Sequence, residues 1–351
     1  MKSLSGLADA GFDAVIDVRS PAEFAEDHIP GAINLPVLSD EERARVGTVY
    51  VQDSPFKARK MGAALVSRNA ALHLEGPLAE MEGGWRPLVY CWRGGQRSGS
   101  FAMILSQIGW RAETLEGGYR SYRSLVVRRL HDVTFPTPVV LLDGNTGTAK
   151  TDILARLPAL GVQVIDLEGL ANHRGSALGA YGDQPAQKGF ETKLAAAVEA
   201  LDPARPVVIE AESSRIGKLN LPARVFEAMK HARRIEVAAP LEARAEYLVR
   251  AYADVTRDPE VLVSRMEALV RLQGHARVAE WVAMARQGDF RELAAELMRH
   301  HYDVRYAKGR GARKAGTVMV SAERLDEAGI DRLADQVAGM VMSEPVSALS
   351  E

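Results

Sequence analysis

Apolar residues fall in short blocks separated by amphipathic stretches along most of the chain. Ala14-Val15-Ile16-Asp17-Val18, Pro87-Leu88-Val89-Tyr90, Val139-Val140-Leu141-Leu142, residues 163–165 and Pro206-Val207-Val208-Ile209-Glu210 are too short to be helices. Each is bounded by Gly, Pro or polar residues, the pattern of a buried strand. Between them lie helical stretches. Ser20-Pro21-Ala22-Glu23 has a serine N-cap, proline at the first helical position and glutamate three residues after the cap, as in a capping box. Residues 40–82 read as largely helical, Gly99 to Leu105 carry an apolar helix face, and Glu116-Gly117-Gly118-Tyr119 opens a basic helix after a short strand at 112–115. This strand–helix alternation predicts an α/β fold with mostly parallel sheet. Two prolines in Thr134-Phe135-Pro136-Thr137-Pro138 break the pattern. The expected division is therefore one domain over 1–133 and a second over 136–345, mainly helical from about 222 to 300.

Composition narrows the class. A chain of 351 residues with 47% hydrophobic and 26% charged residues and a net charge of −2 fits a two-domain globular protein without a global basic signature. The apolar runs are too short to cross a bilayer, and the start of the chain lacks an apolar core of signal-peptide length. One cysteine excludes an intrachain disulfide framework and suits a reducing compartment. The expectation is a cytoplasmic protein that does not engage a membrane. Locally, Arg120, Arg123, Arg128 and Arg129, and again Arg224, Lys230, Arg233 and Arg234, read as solvated helix faces. The group Arg305, Lys308, Arg310, Arg313 and Lys314, interleaved with Tyr302, Tyr306 and glycines, is the better candidate for nucleic-acid phosphate contact.

The lone cysteine opens Cys91-Trp92-Arg93-Gly94-Gly95-Gln96-Arg97-Ser98, between a strand and a helix. Backbone N–H groups at such a turn favour an anion, and Arg93 and Arg97 add positive charge, so the thiol is expected to ionise near neutral pH. Cysteine, five residues, then Arg-Ser also describes the cradle of cysteine phosphatases, whereas sulfurtransferases of the rhodanese type commonly use a loop one residue shorter. The length suits an anion the size of phosphate.

A second anion-binding loop follows the strand at 139–142. In Gly144-Asn145-Thr146-Gly147-Thr148-Ala149-Lys150-Thr151, a glycine-rich turn precedes Lys-Thr at the start of a helix, the layout of a P-loop. Backbone groups from Gly144 to Thr148 would wrap a diphosphate, Lys150 would meet its charge, and Thr151 would bind Mg²⁺. The strict pattern has glycine where this chain has Ala149. Glu210, with Glu212 two residues on, ends a strand where such folds place an acidic group near the metal. Arg215 is a candidate for bidentate phosphate contact. Asp166-Leu167-Glu168-Gly169-Leu170-Ala171-Asn172-His173-Arg174-Gly175-Ser176 follows another strand, at the edge where α/β folds bind ligands.

Ile16-Asp17-Val18-Arg19-Ser20-Pro21-Ala22-Glu23-Phe24, His28-Ile29-Pro30-Gly31-Ala32-Ile33-Asn34 and Leu115-Glu116-Gly117-Gly118-Tyr119 resemble the signatures of a rhodanese domain, with Cys91 at its catalytic position. Joined to the P-loop segment, they make the whole chain resemble the tRNA 2-selenouridine synthase family. The resemblance implies a rhodanese-like α/β domain followed by a P-loop NTPase-like α/β domain with a helical extension. It implies a transferase acting on the wobble 2-thiouridine of tRNA, with geranyl diphosphate and selenophosphate as co-substrates and an S-geranylated intermediate. An enzyme supplying selenophosphate is an implied partner. Arg93, Arg97 and the loop amides would hold selenophosphate while Cys91 accepts or directs selenium. The residues alone leave open a sulfurtransferase or cysteine phosphatase fused to a small-molecule kinase, and a non-enzymatic anion sensor.

Overall fold

A computed structural model describes residues 4, 10–174, 182–305 and 317–343. It resolves into two compact units: Met1–Thr134 with Pro185–Glu199, and Phe135–Gln184 with Ala200–Glu351.

The first unit runs β1 (Ala14–Asp17), α1 (Pro21–Glu26), β2 (Ile33–Asn34), α2 (Asp40–Gln52), α3 (Pro55–Glu75), β3 (Pro87–Tyr90), α4 (Gln96–Ile108), β4 (Glu113–Thr114) and α5 (Gly118–Val127). Its sheet is parallel throughout, in the order β2-β1-β3-β4. The apolar face of β1 and all of β3 are buried among Leu65, Phe101, Leu105 and Trp110. At the start of α1, Ser20 N–H donates to Glu23 Oε2 at 3.3 Å and Pro21 fills the first helical position. The helix Gln187–Glu199, distant in sequence, belongs to this unit. Its Thr192 hydroxyl donates to Asp27 Oδ2 at 2.8 Å, and its Lys188 pairs with Glu26 at 2.8 Å. Arg123, expected on a solvated face, instead pairs with Glu191 of this helix and reaches Asp27 at 3.9 Å. A carboxylate from a remote helix makes that arginine structural.

The second unit contains β5 (Val139–Gly144), α6 (Lys150–Arg156), β6 (Gln163–Ile165) and α7 (Leu167–Leu170); next along the chain comes α8, the Gln187–Glu199 helix of the first unit. It continues with β7 (Val207–Glu210), the hairpin β8 (Arg215–Ile216) and β9 (Leu219–Asn220), α9 (Ala223–His231) and β10 (Arg233–Ala238). Helices α10 (Leu241–Ala251), α11 (Ala253–Thr256), α12 (Pro259–Glu267), α13 (Val270–Gln273), α14 (His275–Gln287) and α15 (Phe290–Leu297) follow, then β11 (Thr317–Ser321) and α16 (Glu327–Met342). The main sheet is parallel, in the order β11-β10-β5-β7-β6. Strand β5 is central, and the chain builds first on one side of it and then on the other, so its carboxyl end is a switch point where such sheets bind ligands.

The stretch 222–300 is therefore not helical throughout. Ile235 and Val237 of β10 alternate into the core while Arg234 pairs with Asp143 at 2.8 Å. Arg233 and Arg234 belong to a strand between β5 and β11, not to a helix face, because alternating burial and two strand neighbours outweigh their charge. Of the third basic group, Arg305 is the last described residue; Tyr306, Lys308, Arg310, Arg313 and Lys314 lie outside the described residues. No helix of the described residues is long and apolar enough to cross a membrane.

Candidate functional site

Two loops, one in each unit, hold the candidate site residues. In the first unit Cys91 follows β3 directly and is 4% exposed. Its Sγ lies 3.2 Å from Ser98 Oγ, one turn into α4. Burial pushes the thiol pKa up. The Ser98 hydroxyl, the backbone N–H groups of Ser98 and Gly95, and the charge of Arg97 outweigh it, so the net shift is down. The loop is braced by glycine: Gly94 and Gly118 have φ of +67° and +58°. A Cβ on Gly118 would stand 2.3 Å from the Cys91 carbonyl oxygen and 2.4 Å from the Gly94 nitrogen. From the same turn, Tyr119 N–H donates to Cys91 O at 2.9 Å and Arg120 N–H to Trp92 O at 3.0 Å. The start of α5 thus grips the carbonyl side of the loop.

The two arginines expected at the thiol have different fates. Arg97 donates to Glu23 Oε2 at 2.7 Å, and Glu23 also pairs with Arg43 at 2.8 Å. The capping glutamate of α1 therefore holds Arg97, whose charge still reaches Cys91. Arg93 is exposed. Sequence reasoning missed the support beneath this loop. Buried Arg19 donates to both Asp17 carboxylate oxygens, at 2.7 Å for its shortest bond, and its guanidinium lies 3.9 Å from the Tyr119 ring centroid. Tyr119 in turn donates to Asp27. The buried Asp17-Val18-Arg19 run at the end of a strand was the available signal.

In the second unit the Gly144–Thr151 loop leaves the carboxyl end of β5 and enters α6. A Cβ on Gly144 would meet Thr148 Oγ1 at 2.5 Å and Val237 O at 2.8 Å, so only glycine fits there. Gly144 N–H donates to Asp143 Oδ1 at 2.7 Å, and the Thr148 hydroxyl to Asn145 O at 2.9 Å. Lys150 Nζ folds over the loop, 2.8 Å from Gly144 O and 3.3 Å from Asn145 O. Ala149 adopts the left-handed conformation, φ 58° and ψ 27°. Thr146, Gly147, Thr148, Lys150 and Thr151 line a cavity of about 1150 Å³, open mouth included, with Glu168, Arg174, Arg250 and Tyr252.

Carboxylates gather beside the lysine. Thr151 Oγ1 is 3.4 Å from Glu168 Oε2, and the Glu168 N–H donates to Glu210 Oε1 at 2.6 Å. Glu210 Oε2 is buried and has no partner among the described residues. Burial first, then Asp166 and Glu168, drives the Glu210 pKa well up. Glu212 is pushed up to about 8 by burial and by Glu168, with Lys150 opposing. These oxygen donors suit a hard cation such as Mg²⁺. Among the described residues, however, no three acidic, His or Cys groups converge into a ready-made metal centre. Arg215 is not at this cavity: it is exposed in the β8–β9 hairpin, where its Nε donates to Gly217 O at 2.9 Å. That local bond, two residues away, satisfies the side chain expected to reach phosphate.

Glu168, Arg174 and Arg244 also contribute to this site. The guanidinium of Arg174 lies 4.7 Å from the Tyr252 ring centroid. Arg244 is buried, donates from Nε to Thr146 O at 2.9 Å, and clamps Asp303 through both terminal nitrogens at 3.0 and 2.7 Å. Glu168 and Arg174 sit in the polar segment after β6, which was legible as a ligand edge. Nothing local marked Arg244.

Comparison with known proteins adds family evidence. Residues 137–328 match the family described as tRNA 2-selenouridine synthase AAA domain, and residues 1–125 match the rhodanese-like domain. The chain is 36% identical over 252 residues to the tRNA 2-selenouridine synthase of Shewanella denitrificans, covering 68% of this chain and 65% of that protein. The namesake of Hahella chejuensis is 36% identical over 251 residues, covering 68% and 63%. That of Hydrogenovibrio crunogenus is 36% identical over 273 residues, covering 74% of each. The chain thus spans just under two thirds of the first two relatives.

Proposed function

The chain belongs to the tRNA 2-selenouridine synthase family, and we propose that it is a transferase that replaces the sulfur of wobble 2-thiouridine in tRNA by selenium in two steps. In the first, the thione sulfur attacks C1 of geranyl diphosphate, a C–S bond forms, the C–O bond breaks, and pyrophosphate leaves with the proton that N3 of the base releases. Lys150 and the amides of the Gly144–Thr151 loop balance the charge that develops on the departing diphosphate. Thr151 with Glu168 or Glu210 would hold Mg²⁺, which supplies further charge neutralisation when bound. The protein is expected to work in the cytoplasm.

In the second step selenium of selenophosphate attacks C2 of the alkylated base, the C2–S bond breaks, geranylthiol departs, and water opens the P–Se bond to release phosphate. Selenium in selenophosphate is already fully reduced. A covalent Cys91 perselenide would need an oxidant, so Cys91 directs selenium rather than storing it. Its thiolate, held by Ser98 and the loop amides, takes a proton from the selenol and returns it to the leaving geranylthiolate. Arg97 lends charge toward the phosphate portion, and Arg93 adds an exposed cation.

The observation that carries this reading is the presence in one chain of a thiol lowered in pKa on an anion loop and a lysine-bearing phosphate loop at a sheet switch point. The test incubates the protein with 2-thiouridine tRNA, geranyl diphosphate and selenophosphate, omits each in turn, and analyses nucleosides by mass spectrometry. Cys91→Ser should accumulate S-geranyl-2-thiouridine, and Lys150→Ala should leave 2-thiouridine unchanged. Full selenation by Cys91→Ser would remove the thiol from the reaction.

A further inference from the structure

Outside both loops, the first unit carries a basic helical hairpin that the chemistry above does not use. Between residues 43 and 68, in α2 and the front of α3, Arg43, Arg45, Lys57, Arg59, Lys60 and Arg68 are set against one acid, Asp53. The whole chain has a net charge of −2, so this excess is local. Lys57 pairs with Asp53 at 3.0 Å, whereas Arg45, Arg59, Lys60 and Arg68 make no hydrogen bond or ion pair among the described residues. Two aromatic rings stand out of the same region: Tyr50 is 55% exposed and Phe56 69%. A solvated helix face needs charge but gains nothing from exposed rings, and rings among cations are the composition of a nucleic-acid surface.

The hairpin also encloses space. Val46 and Tyr50 of α2, Arg59 and Val66 of α3, and Gln96 and Arg97 of α4 line a cavity of about 590 Å³, within the range of about 300–1,000 Å³ usual for small-molecule sites. Gly47, Ala58 and Gly62 give its wall little bulk, so two packed helices leave room between them. No carboxylate of the described residues lines it. Glu23 is committed to Arg43 and Arg97, at 2.8 and 2.7 Å, which leaves Arg59 as the cation of the wall open to an incoming anion. Helix α4 starts directly after the Cys91 loop, and its Ser98 lies 3.2 Å from Cys91 Sγ. An occupant of the cavity therefore sits beside the loop that carries the thiol.

We propose that the α2–α3 hairpin binds single-stranded RNA, with an unpaired base of the tRNA loop in the cavity against Tyr50 and its phosphate on Arg59. A ring beside a guanidinium offers a stacking face and a phosphate partner, the pairing that tracks an unpaired strand without reading its sequence. Paired RNA keeps its bases stacked and cannot fill the cavity. A lipid surface would need a continuous apolar face, which the cavity and its glycines interrupt. The inference rests on the reading above that the chain acts on tRNA and is independent of the two-step chemistry. It gives the first unit a hold on a nucleotide close to the base being changed.

Binding of a fluorescent anticodon stem–loop RNA to the full chain, titrated at several salt concentrations, tests it, with Tyr50→Ala, Tyr50→Trp and Arg59→Gln as variants. A fully paired RNA duplex and phosphatidylcholine–phosphatidylserine vesicles are the other probes. Tyr50→Ala should weaken stem–loop binding by about fivefold or more and leave its salt dependence unchanged, and Tyr50→Trp should restore it. Arg59→Gln should weaken binding and also flatten the slope of log affinity against log salt by about 0.7, the mark of one lost phosphate contact on a single strand. The duplex should bind more weakly and be indifferent to Tyr50→Ala. Stem–loop affinity unchanged in Tyr50→Ala and Arg59→Gln, an equal loss for the duplex, or vesicle binding that depends on Tyr50 while RNA binding does not would overturn the assignment. Failure of the tRNA reading looks different: the unaltered chain binds neither RNA, which removes both.

Discussion

Gly118 offers a direct test of how the Cys91 loop is held. Its φ is +58°, and Ala149 occupies φ 58° in the same chain, so conformation alone does not demand glycine there. Space does: a Cβ at 118 would stand 2.3 Å from Cys91 O and 2.4 Å from Gly94 N, whereas real contacts of this kind essentially never fall under 3.0 Å. Neighbouring Gly117 is the control. Its φ is +73°, but a Cβ there meets the side chain of Ser121 at 3.0 Å rather than backbone. Placing alanine in the left-handed region costs about 1–2 kcal/mol, and loss of unfolded-chain freedom returns about 0.4–1. Gly117→Ala should therefore destabilise the first unit by about 1 kcal/mol. Gly118→Ala adds a backbone overlap of the kind that costs about 1–3 kcal/mol, for a total of about 2–4. Denaturant unfolding reads the stability difference. Alkylation of Cys91, the only thiol, reads the loop, and its rate should change in Gly118→Ala and hold in Gly117→Ala. Equal stability losses with equal alkylation rates in the two variants would refute the close approach as the reason for this glycine.

Ser98→Ala should raise the Cys91 pKa, since burial remains while the hydroxyl that favours the thiolate is gone; the pH profile of iodoacetamide alkylation would shift to higher pH, and an unmoved profile would exclude Ser98. Arg244→Met leaves Asp303 unpaired and frees Thr146 O, so unfolding of the second unit should weaken by about 2–3 kcal/mol, with Arg244→Lys recovering less than half because the two-pronged contact is lost. Glu212 is raised from 4.5 to about 8, so between those values the folded chain keeps a proton that the unfolded chain has released. Stability contributed by that proton falls as pH rises through the window, and Glu212→Gln should flatten the slope in urea titrations at pH 5 to 9.

The placement of both loops was legible in the sequence because each is a local construction: a short apolar strand, a glycine-bearing turn, then a helix. The residues around them are a different matter. Thr192 and Glu191 support the first unit from a helix that follows β6 by more than twenty residues, and no periodicity announces a return to the earlier unit. Strand β10 was hidden by Arg233, Arg234 and Glu236, whose charges mask a two-residue alternation carried by only Ile235 and Val237. Arg215 went astray for the converse reason. A bidentate-capable side chain near a phosphate loop in sequence was satisfied by a carbonyl two residues away. An apolar cavity lined by Leu248, Phe290, Leu293 and Leu297 arises where α10 and α15 meet, each amphipathic in the ordinary way, and only their packing leaves space between them.

Ala149 shows how a departure from a motif can be absorbed by geometry. The glycine of the strict pattern serves a loop whose backbone must approach phosphate and turn through a left-handed residue. Here alanine makes that turn at φ 58° and is only 2% exposed, clustering with Leu142, Ile153 and Leu154 in the core. The methyl group therefore contributes burial worth about 0.8 kcal/mol against a conformational cost of about 1–2. With the unfolded-chain freedom that glycine would add back, the two residues are nearly equivalent in stability.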